Sequence, residues 1–212
     1  MTETCEHHVM AAMTPNRIEA LSDSIFAFAM TLLVLTIDTP KKGVLPVFEL
    51  QRILMGQFQE IFNCALSFIL IAIFWMLHHE QFNFIKRIDH KHLWINIVML
   101  MFISFLPFST SVVGDFPYEG TAELFFAANI FIIGVLNCAG WAYATIGKRL
   151  VDSSLDRGCI AVEMRRASIF PAVSILAILV SFIHPIGSSY IYILVPVLLL
   201  LPQFRHYRGQ HK

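Results

Sequence analysis

Long apolar runs alternate with short polar segments along this chain, a pattern typical of a protein that crosses a membrane several times. An α-helix rises about 1.5 Å per residue, so about 20 apolar residues cross a hydrocarbon core of about 30 Å. The pattern predicts an all-α integral membrane protein with a polar tail at residues 1–16 and a single six-helix domain at 17–212. The predicted spans are 17–38, 58–79, 92–113, 121–146, 167–184 and 188–204.

The first span has a polar start and an apolar body, and it carries one narrow stripe of side chains. At about 100° per residue, the positions that share this stripe are Ser24, Phe28, Thr31, Leu35 and Asp38. A stripe of this kind is typical of ordinary helix packing, and also of a helix that faces a path for ions. From the residue pattern alone, ordinary packing is the simpler interpretation.

Composition supports the membrane class for the whole chain. Hydrophobic residues make up 57% of the 212 residues and charged residues only 14%, whereas soluble domains carry about 25% charge. The formal net charge is zero, so no basic surface suggests a nucleic-acid partner. The four cysteines are scattered and form no CxxC pair, so we expect neither disulfides nor a metal site, and no other cofactor.

Basic residues are unevenly distributed between the predicted connecting segments. If the N-terminus is cytoplasmic, the outer segments hold only Lys41, Lys42 and Arg52, and all the other Lys and Arg residues lie on the inner side. Cytoplasmic loops of membrane proteins carry an excess of Lys and Arg. We therefore expect a multi-pass protein of the plasma membrane, with the lipid bilayer around it and both termini in the cytoplasm.

Polar side chains occur near the predicted cytoplasmic ends of the first three spans. An ionisable group in hydrocarbon is costly, so Asp23 must face protein, water or a partner. Its candidate partners are Arg17, His78, His79 and Asn96, which could form one buried hydrogen-bonded cluster that fixes the helix register. The alternative is a simple helix-end charge at the membrane interface.

Few residues in the spans suggest catalysis or metal binding. The sequence His78-His79-Glu80 contains possible ligands, but neighbouring residues on a helix diverge by about 100° and cannot all bind one ion. We therefore expect no metal site. The HExxH, GxSxG and P-loop motifs are absent, as is the potassium-filter sequence TVGYG, so an enzyme is the least favoured function.

The segment Arg17–Asp23, RIEALSD, resembles the RxxxFSD signature of the transmembrane protein 175 family, the potassium channels of lysosomes and bacteria. Leu21 stands where that motif has Phe. The W…H…F and N…LLPF patterns of the family have further matches at Trp75, His78 or His79, Phe82, Asp89, Asn96 and Leu106–Thr110. The ordered similarity spans about residues 17–113 and then fades to a shared hydropathy pattern.

This resemblance implies a potassium channel of the bacterial type, with one six-helix unit per chain and a homotetramer around the first helix. By their offset from the motif aspartate, Phe28, Thr31 and Leu35 match the family's constriction positions, and Ser24 shares their stripe. Apolar side chains would form the gate, and a threonine layer would contribute to potassium selectivity. Phe28 stands where an aliphatic residue is more usual in the family.

The same resemblance implies a supporting network behind the pore. Its expected members are Arg17, Ser22 and Asp23 of the motif, and the polar cluster inferred above adds His78, His79 and Asn96. A proton- or ion-coupled secondary transporter is the alternative function, although the sequence lacks the paired broken helices of many carriers. A non-conducting membrane scaffold is the third possibility.

Overall fold

The structure, a computed structural model, describes residues 14–37 and 55–201. The expected tail before residue 14, Asp38 of the stripe, the loop up to residue 54 and everything after residue 201 lie outside the described residues. Expectations for those segments stay predictions.

The described chain consists mainly of five long helices followed by a shorter apolar segment. In chain order, the helices are α1 (Pro15–Leu32), α2 (Phe58–Phe84), α3 (His90–Asp115), α4 (Gly120–Thr145), α5 (Arg157–Ser181), α6 (Pro185–Tyr190) and α7 (Leu194–Leu199). A 3-10 turn, Leu33–Thr36, continues α1, and another, Ile191–Ile193, joins α6 to α7. The prediction of an all-helical membrane protein is confirmed at this level.

Within residues 14–37 and 55–201, five of the helical segments are long and apolar enough to cross a membrane, and the last apolar segment is shorter. It runs over Gly187–Leu199, and at 1.5 Å per residue it reaches only about 20 Å. The sequence predicts a sixth span at 188–204, of which 202–204 lie outside the described residues. Within the described part of the chain, the sixth segment is thus not a full-length span.

Two helices extend well beyond the hydropathy prediction, because helix ends can be polar, and α3 is two residues longer at each end. α2 continues to Phe84, which makes the start of the expected charged hairpin helical. α5 begins at Arg157, ten residues before the predicted start, where the Asp156 side chain accepts a hydrogen bond from the backbone N–H of Gly158 at 3.0 Å. Such N-caps satisfy the first free N–H groups of a helix.

Helix α3 begins with a similar cap outside the apolar span. Asp89 Oδ1 accepts a hydrogen bond from His92 N at 2.9 Å, and Asp89 Oδ2 accepts one from Tyr143 of α4 at 2.5 Å. Burial favours the neutral acid, but these two hydrogen bonds, together with the positive charges of His92 and Arg149, outweigh it and hold the pKa of Asp89 below its ordinary value. The loop before α3 is therefore bound to the end of α4.

The centre of the bundle is filled by large apolar side chains from every long helix. Its fully buried members include Phe26 of α1, Phe74 of α2, Ile103 of α3, Ile130 of α4 and Phe170 of α5. The rings of Phe74 and Phe170 stack with their centroids 3.6 Å apart. The middle of a single subunit is thus tightly packed and apolar.

Candidate functional site

Helix α1 has one face that packs against the rest of the bundle. Its buried positions, at steps of four, four, three and four, are Ile18, Ser22, Phe26, Ala29 and Leu33. These steps keep the side chains on one side of the helix. Phe26 lies against the ring of His78 in α2, with the two centroids 5.6 Å apart. One face of the first helix is therefore fixed by contacts within its own subunit.

The stripe predicted from the sequence lies on the other side of α1. Ser24, Phe28, Thr31 and Leu35 are all exposed in the subunit, Phe28 to 65% and Leu35 to 75%. Such large apolar side chains require lipid or protein as neighbours in a membrane protein. The face is thus available to the bilayer or to another chain.

Two hydroxyl groups interrupt this apolar row. The Ser24 hydroxyl donates to the carbonyl oxygen of Ala20, and the Thr31 hydroxyl donates to that of Phe28, both at 2.8 Å. Because each hydroxyl hydrogen is bound to the helix, the lone pairs of each oxygen are left to accept from outside. The exposed face therefore combines bulky apolar side chains with outward-facing acceptors.

Behind α1, three helices meet in a chain of buried hydrogen bonds. Asn96 of α3 donates from Nδ2 to Ser22 Oγ at 3.1 Å, and its Oδ1 lies 2.9 Å from His78 Nε2 of α2. Ser22 in turn donates to the carbonyl oxygen of Ile18 at 2.9 Å. The structure thus brings together Ser22, His78 and Asn96, three of the residues expected in the supporting network.

A second pair of contacts joins α1 to α2 nearer the surface. Asp23 Oδ1 accepts a hydrogen bond from the indole Nε1 of Trp75 at 2.9 Å, and Glu19 Oε1 lies 2.9 Å from His79 Nδ1. Trp75 and His79 are four residues apart, so they share a face of α2, and their rings stack with centroids 5.9 Å apart. Arg17 is exposed in the first turn of α1.

Sequence reasoning missed Trp75 and Glu19 as partners in this contact. It used Trp75 as a match to the family pattern, but the indole N–H is bound to Asp23. The available signal was the spacing of Trp75 and His79, which directs both side chains to the helix carrying Glu19 and Asp23. Spacing on one helix, however, does not reveal which neighbouring helix that face meets.

Other buried polar contacts were also not anticipated. Ser189 Oγ lies 2.8 Å from both carboxyl oxygens of Glu123, a side chain that is 1% exposed. The Arg166 guanidinium of α5 contacts the carboxylates of Glu163, at 3.0 Å, and of Glu80 in α2. These contacts tie the short last segment to α4, and α5 to α2.

Together, these features define a multi-pass α-helical membrane protein whose first helix is anchored on one side and exposed on the other. A family model described as the endosomal/lysosomal potassium channel TMEM175 matches residues 17–107. The potassium channel of Streptomyces collinus is 31% identical over 144 residues, which are 66% of this chain and 69% of that protein. The potassium channel of Chamaesiphon minutus is 29% identical over 170 residues, which are 79% and 84% of the two chains.

A solved structure shares the fold. The crystal structure of a lysosomal potassium-selective channel TMEM175 homolog from Chamaesiphon minutus superposes with a TM-score of 0.78 at 24% identity, covering 90% of this chain and 98% of that one. The chain belongs to the TMEM175 family, and the resemblance inferred from Arg17–Asp23 is confirmed.

Proposed function

We propose that this protein is a potassium-selective cation channel in which the first helix of each subunit lines the pore of a homotetramer. The names of its bacterial relatives support potassium as the permeant ion. The observation that carries the proposal is the orientation of the stripe: Phe28, Thr31 and Leu35 lie on the exposed side of α1. The opposite side of the same helix is buried against the rest of the subunit, and these contacts would hold α1 in a fixed position beside the pore.

A route between subunits also fits the packing of one subunit. Apolar side chains from five helices fill its centre, which favours an ion path outside that centre. Around a symmetry axis, rings of Phe28 and Leu35 would narrow the path and exclude water, which is how hydrophobic constrictions gate. A ring of Thr31 hydroxyl oxygens would replace part of the hydration shell of the ion. The channel would thus select through side chains, without a backbone carbonyl filter.

The proposal includes six spans, with the segment from Gly187 onward as the sixth. It also includes the plasma membrane as the location and cytoplasmic termini, which the uneven distribution of Lys and Arg supports. A network behind the pore would hold α1 in place, and its members are Arg17, Ser22, Asp23, His78, His79 and Asn96. Their contacts with α1 or within the cluster support this role.

Recording from the purified full-length protein in a planar bilayer tests this function. Under a potassium gradient we expect unitary current steps that reverse near the potassium equilibrium potential. The detergent-solubilised particle should contain four chains of 24.1 kDa. Flux that requires a coupling ion would instead indicate a secondary transporter, and a protein that passes no cation would indicate a scaffold.

Replacing Thr31 with valine should lower the potassium-to-sodium permeability ratio several-fold, because valine keeps the shape of the side chain but removes the acceptor oxygen. Reversal potentials under bi-ionic conditions measure this ratio. Thr36→Val is the matched control, since the Thr36 hydroxyl also donates to a backbone carbonyl, that of Leu33 at 2.7 Å, but its side chain is half-buried. Unchanged reversal potentials for Thr31→Val would argue against a selectivity role for this residue.

A further inference from the structure

A small cavity lies between α2, α3 and α4, next to the bond between His78 and Asn96. Its volume is about 20 Å³. Five of the side chains that line it are polar, those of His78, Gln81, His92, Asn96 and Asn137. Polar groups in the interior of a membrane protein need hydrogen-bond partners.

Four polar groups around this cavity have no hydrogen-bond partner among the described residues. The atoms are His78 Nδ1, Gln81 Nε2, His92 Nδ1 and Asn137 Nδ2. Each of the four residues is at least 96% buried. An unpaired buried polar group is destabilising, so several around one small space indicate a ligand that satisfies them.

The hydrogen bonds behind α1 determine whether one of these atoms, His78 Nδ1, is a donor or an acceptor. Asn96 donates from Nδ2 to Ser22, so its Oδ1 faces His78 Nε2. An amide oxygen can only accept, so Nε2 carries the proton and Nδ1 of the neutral imidazole is an acceptor. The amide nitrogens of Gln81 and Asn137, by contrast, are donors.

A ligand that serves both kinds of group must donate and accept. A cation is disfavoured, because it would face two amide N–H groups and no carboxylate. An anion is disfavoured as well, because it would face the lone pair of His78 Nδ1. Water can accept from Gln81 and Asn137 and donate to His78. A cavity needs about 10–15 Å³ to hold one water, and a stable buried water makes two to four hydrogen bonds.

We propose that this cavity is a binding site for one ordered water molecule that joins α2, α3 and α4. Through His78 and Asn96 the water also supports the contact with Ser22, and hence the position of α1. This site does not depend on the proposed ion conduction, because it follows from burial and donor–acceptor complementarity alone.

A density map of the full-length protein at about 2 Å or better tests the proposal directly. We expect a single peak within hydrogen-bond distance of at least two of the four unpaired atoms. The absence of a peak would overturn the proposal. So would anomalous scattering from the peak after potassium is replaced by rubidium, because that would identify a cation.

The variant Asn137→Leu tests the proposal through the direction of the change in melting temperature, which differs between a cavity that holds water and one that does not. In a dry cavity, leucine removes an unpaired donor and should raise the melting temperature Tm. In a hydrated cavity, it removes a partner of the water, and we expect Tm to fall by roughly 2–4 °C. Asn129→Leu, on the same helix but outside the cavity, reports the cost of losing a direct bond to Ser109. A rise or no change in Tm for Asn137→Leu would overturn the proposal.

Discussion

Replacing Gly134 with alanine should strongly destabilise the protein, because α4 and α5 are in near contact at this position. A Cβ added there would lie 2.7 Å from Pro171 Cδ and 3.0 Å from both Phe170 Cβ and Pro171 N. Distances below 3.0 Å require movement, and neither a proline ring nor a backbone can turn away as a flexible side chain can. Overpacking of this kind costs about 1–3 kcal/mol, more than the roughly 1 kcal/mol by which alanine favours a helix over glycine.

Gly140→Ala is the matched control on the same helix. The nearest atoms to its added Cβ would be Ile95 Cγ2 at 3.7 Å and His92 Nε2 at 3.9 Å, which are ordinary contacts. Thermal unfolding of both variants in one detergent should show a large drop in Tm for Gly134→Ala and a much smaller change for Gly140→Ala, which borders the proposed water cavity. Equal melting temperatures would show that α4 and α5 are not packed as closely as described.

Replacing Asn96 with leucine should both destabilise the protein and alter its current. Leucine has nearly the same size but cannot bind His78 or Ser22, so it leaves two buried polar groups without their partner. Each such group costs about 1–3 kcal/mol. Because one of the lost bonds is to α1, the proposed pore helix would lose a contact that fixes its position.

Asn129→Leu separates these two effects. Asn129 is also buried, and it donates to Ser109 of α3 at 3.1 Å, but it binds no residue of α1. Both variants should lower Tm, whereas only Asn96→Leu should change open probability or unitary current when equal amounts of folded protein are reconstituted. If the two variants gave the same currents, the chain behind α1 would be a stabilising contact with no specific effect on the pore.

The contacts removed by Asn137→Leu and Asn96→Leu follow one another behind helix α1. The cavity lies against His78, His78 contacts Asn96, and Asn96 binds Ser22 on the buried side of α1. The exposed row of Phe28, Thr31 and Leu35 lies on the opposite side of the same helix. A substitution among these hydrogen-bonded residues can therefore shift the proposed pore surface, because Ser22 and the exposed row lie on the same helix.

Much of the candidate site was predictable from the sequence because its signals are local. The period of the first span identified the row from Ser24 to Leu35, and the motif at Arg17–Asp23 identified the family. The cost of burying polar groups in lipid suggested that Asp23, His78 and Asn96 would need partners. Ser22 was expected in the same network only from the family motif. The bond of Trp75 to Asp23, the contact of Ser189 with Glu123 and the full lengths of α2 and α5 were not predictable in this way.

The sequence by itself determined that this is a helical membrane protein of the TMEM175 family and that its first helix has two different faces. Only the tertiary structure decided which face turns outward, because periodicity defines a face without defining its neighbour. The same limit applies to partners: Asn96 and Ser22 are 74 positions apart, and the packing of α3 against α1 brings them within 3.1 Å. Local pattern sets the shape of each helix, whereas the packing of the whole bundle selects which polar groups meet.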